Sequence, residues 1–354
     1  MKGIIYALLA AVLFGASTPA AKTLLLQVDP LLLAGLLYLG SGLGLAAWLA
    51  GKRLCQGKKR QRSSYITKQE VPWLIGTVIM GGVIAPALLM NGLARTGAAA
   101  TSLLLNFEGV FTALIAWTVF RENTDRRIVI GFTAIVVGGV ILSWSGGHQL
   151  SISISSLFIL GACLCWGIDN NLTRRISGGD PVFLAAVKGL VAGIANIAFA
   201  VSTGSHFPSA ETLLTSGVIG FVSYGCSLVC FILALSRLGA ARTGAYFATA
   251  PFAGAALSIW FLHEPVTGWL LVAGGLMAVG VWLHISEHHE HEHSHFTGEH
   301  THEHVHDEHH KHGHGPADPQ GEPHTHRHKH EPLIHTHAHF PDLHHQHDHS
   351  ESDG

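Results

Sequence analysis

The stretch ARTGAAATSLLLNFEGVFTALIAWTVFRE at residues 94–122 aligns without gaps with SRLGAARTGAYFATAPFAGAALSIWFLHE at residues 236–264. Matching positions with the same residue include Arg95 and Arg237, Gly97 and Gly239, Thr101 and Thr243, and Glu122 and Glu264. A shorter match joins LFGAS at 13–17 to CWGID at 165–169. Internal repetition indicates duplicated structure. We predict two copies of one helical unit, residues 1–150 and 151–285, followed by a tail at 286–354.

The tail differs sharply in composition from the rest of the chain. Residues 285–354 hold 24 of the 28 histidines and 14 of the 23 acidic residues. Before the tail, apolar segments of about the length that crosses a bilayer as a helix recur along the chain. They fall at 3–25, 30–50, 72–92, 97–119, 128–145, 154–173, 181–202, 213–235, 239–262 and 266–284. The sequence therefore predicts an all-α integral membrane protein with ten transmembrane helices, five in each half.

The odd number of spans in each half has a consequence for topology. The second copy must enter the membrane from the side opposite to the first, which makes the pair an inverted repeat, an architecture typical of secondary transporters. Fourteen Lys and Arg residues lie in the loops at 51–71, 121–127, 174–175 and 237–242, against Lys22 and Arg95 on the other side. Because basic loops stay in the cytoplasm, both termini are predicted to be cytoplasmic in a bacterial inner membrane.

Several of these features together resemble the EamA-type permeases of the drug/metabolite transporter superfamily. They are the five-plus-five repeat, the acidic ends of the fourth and ninth spans at Glu122 and Glu264, and Pro251 within the ninth span. The resemblance covers residues 3–284 and implies a transporter fold. It leaves the substrate open, since such permeases carry amino acids, metabolites, drugs and other cargo. One departure is that Glu108-Gly109 stands where the second copy has Ala250-Pro251.

The histidine-rich tail suggests metal binding. Alternating histidines with acids between them offer nitrogen and oxygen ligands that suit Ni²⁺, Co²⁺, Zn²⁺ or Cu²⁺. With almost no apolar content, the tail is predicted to be disordered and cytoplasmic. A tail of this kind on such a permease also resembles the nickel/cobalt-resistance exporters of bacteria. The predicted metal ligands are His288, His289, His291, His293, His295, His300, His302, His304, His306, His309, His310, His312 and His314.

Ionisable residues within apolar spans are costly and therefore mark candidate transport pathways. Glu108 lies near the middle of the fourth span, Asp169 in the sixth and Lys188 in the seventh, with Asn106 and Asn170 beside them. For Lys188, an ion pair with Asp169 or a position near the cytoplasmic surface is an equally good interpretation. Glu108 has the best functional case, because at mid-bilayer depth neither water nor the surface is within easy reach.

These patterns favour a transporter over an enzyme. The sequence has no phosphate-binding GxxxxGKS/T loop and no HExxH motif, and no cofactor is expected beyond metal bound by the tail.

We hypothesise a secondary transporter that exports divalent cations, most plausibly Ni²⁺ or Co²⁺, with Glu108 exchanging proton for cation. The alternative is a carrier of a small organic metabolite or amino acid with a metal-sensing tail. The expected partners are the lipid bilayer and the transported cation or metabolite, with no nucleic acid, and a homodimer is left open.

Overall fold

The computed structural model describes two parts of the chain. The first comprises residues 2–56, 67–120, 126–143, 153–176 and 180–285, and every element described there is helical. The second comprises four segments of the tail, at 289–295, 299–304, 324–329 and 333–339. The all-α class predicted for the chain before the tail is confirmed.

The described helices of the first half are labelled α1 to α5. α1 comprises Lys2–Gly15 and Ser17–Leu24, and α2 spans Pro30–Gln56. α3 consists of three consecutive segments, Val71–Thr77, Val78–Ile84 and Ala85–Ala94. α4 comprises Ala98–Leu104 and Phe107–Phe120, and α5 spans Arg126–Ser143. The middle segment of α3 is a π-helix, in which each N–H bonds one residue further back than in an α-helix.

The second half repeats this order as α6 to α10. α6 spans Ile154–Thr173 and ends in a 3₁₀ turn at Arg174–Ile176, α7 spans Pro181–Ser202, α8 runs through Ala210–Gly239, α9 through Arg242–Leu262, and α10 spans Gly268–Ile285. Within α8 the segment Phe221–Cys226 is again a π-helix. Gly239, with φ of 77°, adopts a left-handed conformation that suits glycine, and it separates α8 from α9.

Elements at matching positions in the two halves pack symmetrically. α2 packs on α7, α4 on α9, and α5 on α10. α1 packs on α8 and α9, and its counterpart α6 packs on α3 and α4. The two π-helical segments also fall at aligned positions of the repeat. The duplication in the sequence is thus matched by equivalent packing.

Small residues allow α2 to approach its neighbours closely. A Cβ on Gly189 of α7 would lie 2.8 Å from the Cα of Gly42, and Gly40 faces the backbone of Gly217 in α8. Close backbone approach of this kind is the usual way in which helices associate in lipid. A larger side chain at these positions would push α7 or α8 away from α2.

The outer surface of the helical part is apolar. Large side chains such as Trp260, Trp269, Leu271 and Trp282 are more than half exposed. Among the described residues, seven helices are long and apolar enough to cross a membrane, and two shorter apolar helices lie at Arg127–Ser143 and Gly268–Leu283. The protein is therefore an integral membrane protein built of helices, while ten crossings and the boundary at 150/151 remain predictions.

The tail forms a separate compact unit that begins at His288. Its described segments are strands, β1 His289–His295, β2 Glu299–His304, β3 His324–Lys329 and β4 Leu333–His339. β1 pairs antiparallel with β4, and β2 with β3. Most of the tail predicted to be disordered, 286–354, lies outside the described residues, and that prediction stays a prediction.

Candidate transport site

A cavity of about 330 Å³ lies between seven helices of the bundle. It is lined by Phe14, Tyr38, Ser41, Glu108, Trp166, Asn170, Ala185, Lys188, Gly189, Tyr224, Ser227, Leu228, Phe231 and Phe247. Three of the five residues predicted for the pathway, Glu108, Asn170 and Lys188, are therefore brought together here. The cavity combines one carboxylate and one ammonium group with six aromatic side chains among its fourteen lining residues.

Glu108 provides the acidic group of the cavity. It lies in the first turn of the α4 segment Phe107–Phe120, where the partial positive charge of a helix N-terminus favours a carboxylate. Asn170 Nδ2 donates a hydrogen bond to Glu108 Oε1 at 3.0 Å and lies 3.2 Å from Thr112 Oγ1. The Thr112 hydroxyl in turn donates to the Glu108 carbonyl at 2.7 Å. Asn170 of α6 thus orients the carboxylate. The carboxylate can still accept further hydrogen bonds from a ligand.

Lys188 provides the basic group of the cavity, and it also forms an ion pair with a second acid. Its ammonium forms an ion pair with Asp169 Oδ2, and Thr173 Oγ1 lies 3.3 Å from Asp169 Oδ1. The Lys188 side chain is 22% exposed and that of Asp169 only 6%. Asp169 therefore lies behind the wall of the cavity and neutralises the lysine that faces it. The interpretation of Lys188 and Asp169 as an ion pair, which the sequence left open, is the one that the geometry supports.

The π-helical segment of α3 forms part of the support of this wall. Pro86 has no N–H, so an upstream carbonyl of α3 loses its helical donor. The Gly81 carbonyl accepts hydrogen bonds from Tyr38 Oη at 2.8 Å and Trp166 Nε1 at 3.0 Å. The neighbouring Gly82 carbonyl accepts one from Asn196 Nδ2 at 3.1 Å. Side chains of α2 and α6 thus supply donors to the π-helical segment where Pro86 cannot, and a side chain of α7 adds a further hydrogen bond, in keeping with the need to satisfy backbone groups inside a membrane.

Five aromatic rings form a continuous wall along the cavity. Neighbouring ring centroids lie 5.8 Å apart for Tyr38 and Tyr224, 5.9 Å for Tyr224 and Phe14, 5.5 Å for Phe14 and Phe247, and 4.9 Å for Phe247 and Phe231. Distances of 4.5–7 Å are those of favourable aromatic pairs. The faces and edges of such rings bind apolar groups and organic cations. Sequence reasoning missed this wall, because its members come from α1, α2, α8 and α9.

Asn106 does not join this group. It is buried, and its Nδ2 donates to the Leu103 carbonyl at 2.8 Å and lies 4.0 Å from the sulfur of Met277 in α10. The side chain thus contacts the α10 side of α4, and Asn106 is absent from the cavity lining. Its predicted place in the pathway has no support from this geometry.

The predicted metal ligands lie outside the part whose side chains are described. His288, His306, His309, His310, His312 and His314 fall outside the described residues altogether, and for the histidines of β1 and β2 only the backbone is described. Within the described side chains, no group of three or more His, Cys, Asp or Glu residues could hold a metal ion. Metal binding by the tail stays a prediction.

With this geometry in place, the chain can be compared with known proteins. It matches the EamA-like transporter family over residues 1–144 and again over 153–286, and it belongs to that family. The chain is accordingly related to transporters. The two separate matches also show that each half carries the family pattern by itself.

Individual relatives carry a range of names. An uncharacterized transporter of Methanothermobacter thermautotrophicus is 26% identical over 294 residues, 79% of this chain and 85% of that protein. A protein of Streptantibioticus cattleyicolor named as a probable terminal-alkyne amino-acid exporter is 26% identical over 218 residues, 57% of this chain and 69% of that protein. A solved crystal structure that covers 80% of this chain, and 96% of its own, has a TM-score of 0.58 at 18% identity, which shows the fold alone.

Proposed function

We propose that this chain is a secondary transporter that exports a small organic solute with an amino group, such as an amino acid, from the cytoplasm. One observation carries the proposal: Glu108, Lys188 and a wall of aromatic rings line the same cavity. A carboxylate binds an ammonium group, a lysine binds a carboxylate, and aromatic faces accept an apolar body or a cation. The volume of about 330 Å³ suits a small molecule.

The proposed architecture is a ten-span inverted repeat in the bacterial inner membrane with both termini in the cytoplasm. The family match in each half, the equivalent packing of α1 and α6, and the excess of Lys and Arg in alternate loops support it. The cavity would then lie at the interface of the two repeats, where transporters of this kind bind their substrates.

Glu108 is the proposed coupling residue. A buried carboxylate is costly to ionise unless a cation compensates it. An arriving ammonium group would stabilise the ionised form and release the proton, and a returning proton would release the solute. This exchange needs only one carboxylate that both species can reach, and Glu108 has that position in the cavity.

Export of a divalent cation, nickel or cobalt in the first instance, is the second candidate. The observation that favours it is the sequence of the tail, whose histidines and acids suit Ni²⁺, Co²⁺, Zn²⁺ or Cu²⁺. Beside the cavity, Glu108 Oε1 and Thr112 Oγ1 both contact the Asn170 amide, so a carboxylate and a hydroxyl oxygen lie close together as a loose pair of hard ligands for an ion that must be released again. The tail would then concentrate or sense the ion at the membrane surface.

Flux in proteoliposomes containing the purified full chain separates the two candidates. A panel of radiolabelled amino acids and amines is tested beside Ni²⁺ and Co²⁺, in the presence and absence of a proton gradient. We expect counterflow of at least one amino compound, reduced about tenfold or more by Glu108→Gln, the order of one charge-assisted hydrogen bond. Asp29→Asn, which removes an exposed acid outside the cavity, is the matched control.

The possible results of the flux experiment lead to different conclusions. Metal flux without solute flux would favour the second candidate. Solute flux that is unchanged in Glu108→Gln, with the same pH dependence, would remove Glu108 from the coupling mechanism. Flux of neither class would contradict both candidates.

A further inference from the structure

The loop between α3 and α4 is held at one end by a lysine of another helix. Lys22, near the end of α1, donates hydrogen bonds from Nζ to the carbonyls of Leu93 at 2.7 Å and Thr96 at 2.8 Å, and lies 3.3 Å from that of Ala94. These are carbonyls of the last turn of α3 and the residues after it, where the helical ladder ends, and the Leu93 carbonyl also accepts a hydrogen bond from the Thr96 N–H at 3.4 Å. A cation at this position also complements the negative end of the helix dipole.

The other end of the same loop is held by a glutamate from the opposite half of the chain. Glu264, just after α9, accepts hydrogen bonds from the backbone N–H of Ala98 at 2.6 Å and of Ala99 at 2.9 Å. These are the first N–H groups of α4, and the carboxylate complements the positive end of that helix. Lys22 and Glu264 also attract each other electrostatically. We call this pair and its five hydrogen-bonded partners the clamp.

The clamp lies at the end of the bundle away from the cavity. Three lining residues lie deep within their helices. Tyr38 of α2, Glu108 of α4 and Tyr224 of α8 are eight to fourteen residues away from the helix ends that lie near the clamp. At a rise of about 1.5 Å per residue this is on the order of 12–20 Å. Ala185 and Lys188, by contrast, belong to the first two turns of α7, at the opposite end. The cavity thus extends from the middle of the bundle toward the predicted cytoplasmic side, and the clamp joins helices across the other side.

We propose that Lys22 and Glu264 form a gate that closes the non-cytoplasmic end of the transport pathway and must release for the solute to leave. The inference rests on the proposed transport function. The clamp ties α1 and α9 to the α3–α4 loop, and it does so entirely through side chains bonded to backbone groups of helix ends. Such contacts can break without unfolding a helix, because water can satisfy the same end groups.

Chemical labelling of a cavity position tests the gate without any solute. In full-length protein whose five cysteines are replaced, Ser41→Cys places one thiol in the cavity lining. Intact cells are treated from outside with a membrane-impermeant maleimide, and inside-out vesicles are treated in parallel. Lys22→Met and Glu264→Gln should each raise labelling from outside about fivefold or more, the effect of a modest shift between two conformations. Lys22→Arg, which keeps the charge and donors, and Asp29→Asn, which removes a nearby exposed acid, should label like the parent.

Normal insertion with unchanged outside labelling in both Lys22→Met and Glu264→Gln would overturn the proposal and leave the clamp a purely structural contact. If Lys22→Met fails to insert, Glu264→Gln decides the question, because it retains one acceptor oxygen for α4. Labelling from inside-out vesicles should be high in the parent and should fall in the gate variants. Since no solute is used, failure here is distinguishable from failure to find flux.

Discussion

At the level of single residues, the ion pair of Asp169 and Lys188 gives the sharpest stability prediction. Lys188→Met leaves a carboxylate that is only 6% exposed without its partner. Breaking a buried pair from one side costs about 3–5 kcal/mol, whereas replacing both partners with uncharged groups of similar size is often close to neutral. We expect Lys188→Met to lower the melting temperature of the detergent-purified protein by several degrees and Lys188→Met/Asp169→Asn to recover most of the loss.

The measurement is thermal unfolding followed by tryptophan fluorescence, with detergent and lipid held constant. A double variant that is less stable than Lys188→Met alone would show that the pair does not act as a unit. A fully stable Lys188→Met that has lost flux would instead place the lysine in solute binding alone.

The sequence identified Glu108, Asp169, Asn170 and Lys188 because polar groups in apolar segments stand out. The same reasoning selected Asn106, which does not line the cavity, and its place in the pathway stays a prediction. Asn106 lies between the two segments of α4, and its side chain contacts Met277 of α10, whereas Glu108 lines the cavity. The aromatic residues of the wall could not be selected at all, because Phe and Tyr are ordinary in such segments and only packing shows which of them meet.

At the level of elements, the π-helical segment of α3 was not predicted, although the helices themselves were. The apolar blocks indicate where helices lie but not which hydrogen-bond register they adopt. That register depends here on donors from Tyr38, Trp166 and Asn196, which belong to three other helices. The Gly81-Gly82 pair followed by Pro86 was the available local signal.

Gly81→Ala tests the tight packing at this segment. A Cβ at Gly81 would collide with the Asp169 carboxylate, which is already bonded to Lys188. Overpacking of this kind costs about 1–3 kcal/mol. We expect a lower melting temperature and weakened solute binding in the same variant. Gly109→Ala is the matched control, since a Cβ there meets nothing within 4 Å, and equal effects of the two substitutions would contradict the argument.

At the level of the whole molecule, the orientation in the membrane is open to a direct test. Fourteen Lys and Arg residues in alternate loops predict a cytoplasmic tail. Reporter fusions after Ser286 should be active with a cytoplasmic reporter and inactive with one that works only in the periplasm. The reverse result would invert the assigned direction of every loop, and with it the side on which the clamp lies.

Removal of the tail should leave the transport step intact. The helical part and the tail are separate units, and truncation after His284 retains both halves of the repeat. We expect near-parental flux at saturating solute or metal, together with loss of most of the bound Ni²⁺ or Zn²⁺ per chain, measured by elemental analysis of the dialysed protein. Loss of flux at every concentration, in a protein that inserts normally, would show that the tail belongs to the transport mechanism.

The two π-helical segments also bear on how this chain tolerates changes in length. Such a segment holds one residue more than an α-helix would need for the same hydrogen-bonded path. Deleting one residue between Val78 and Ile84 would allow α3 to close as an ordinary α-helix while Val71–Thr77 and Ala85–Ala94 keep nearly the same orientation to each other. The faces of the two ends of α3 therefore stay aligned in space, and only their sequence pattern is offset by one residue across the π-helical segment. A chain that lacks the extra residue could keep the pattern of both ends, so a one-residue deletion here should be tolerated better than one inside an uninterrupted helix such as α2, where it would turn the two parts by about 100°.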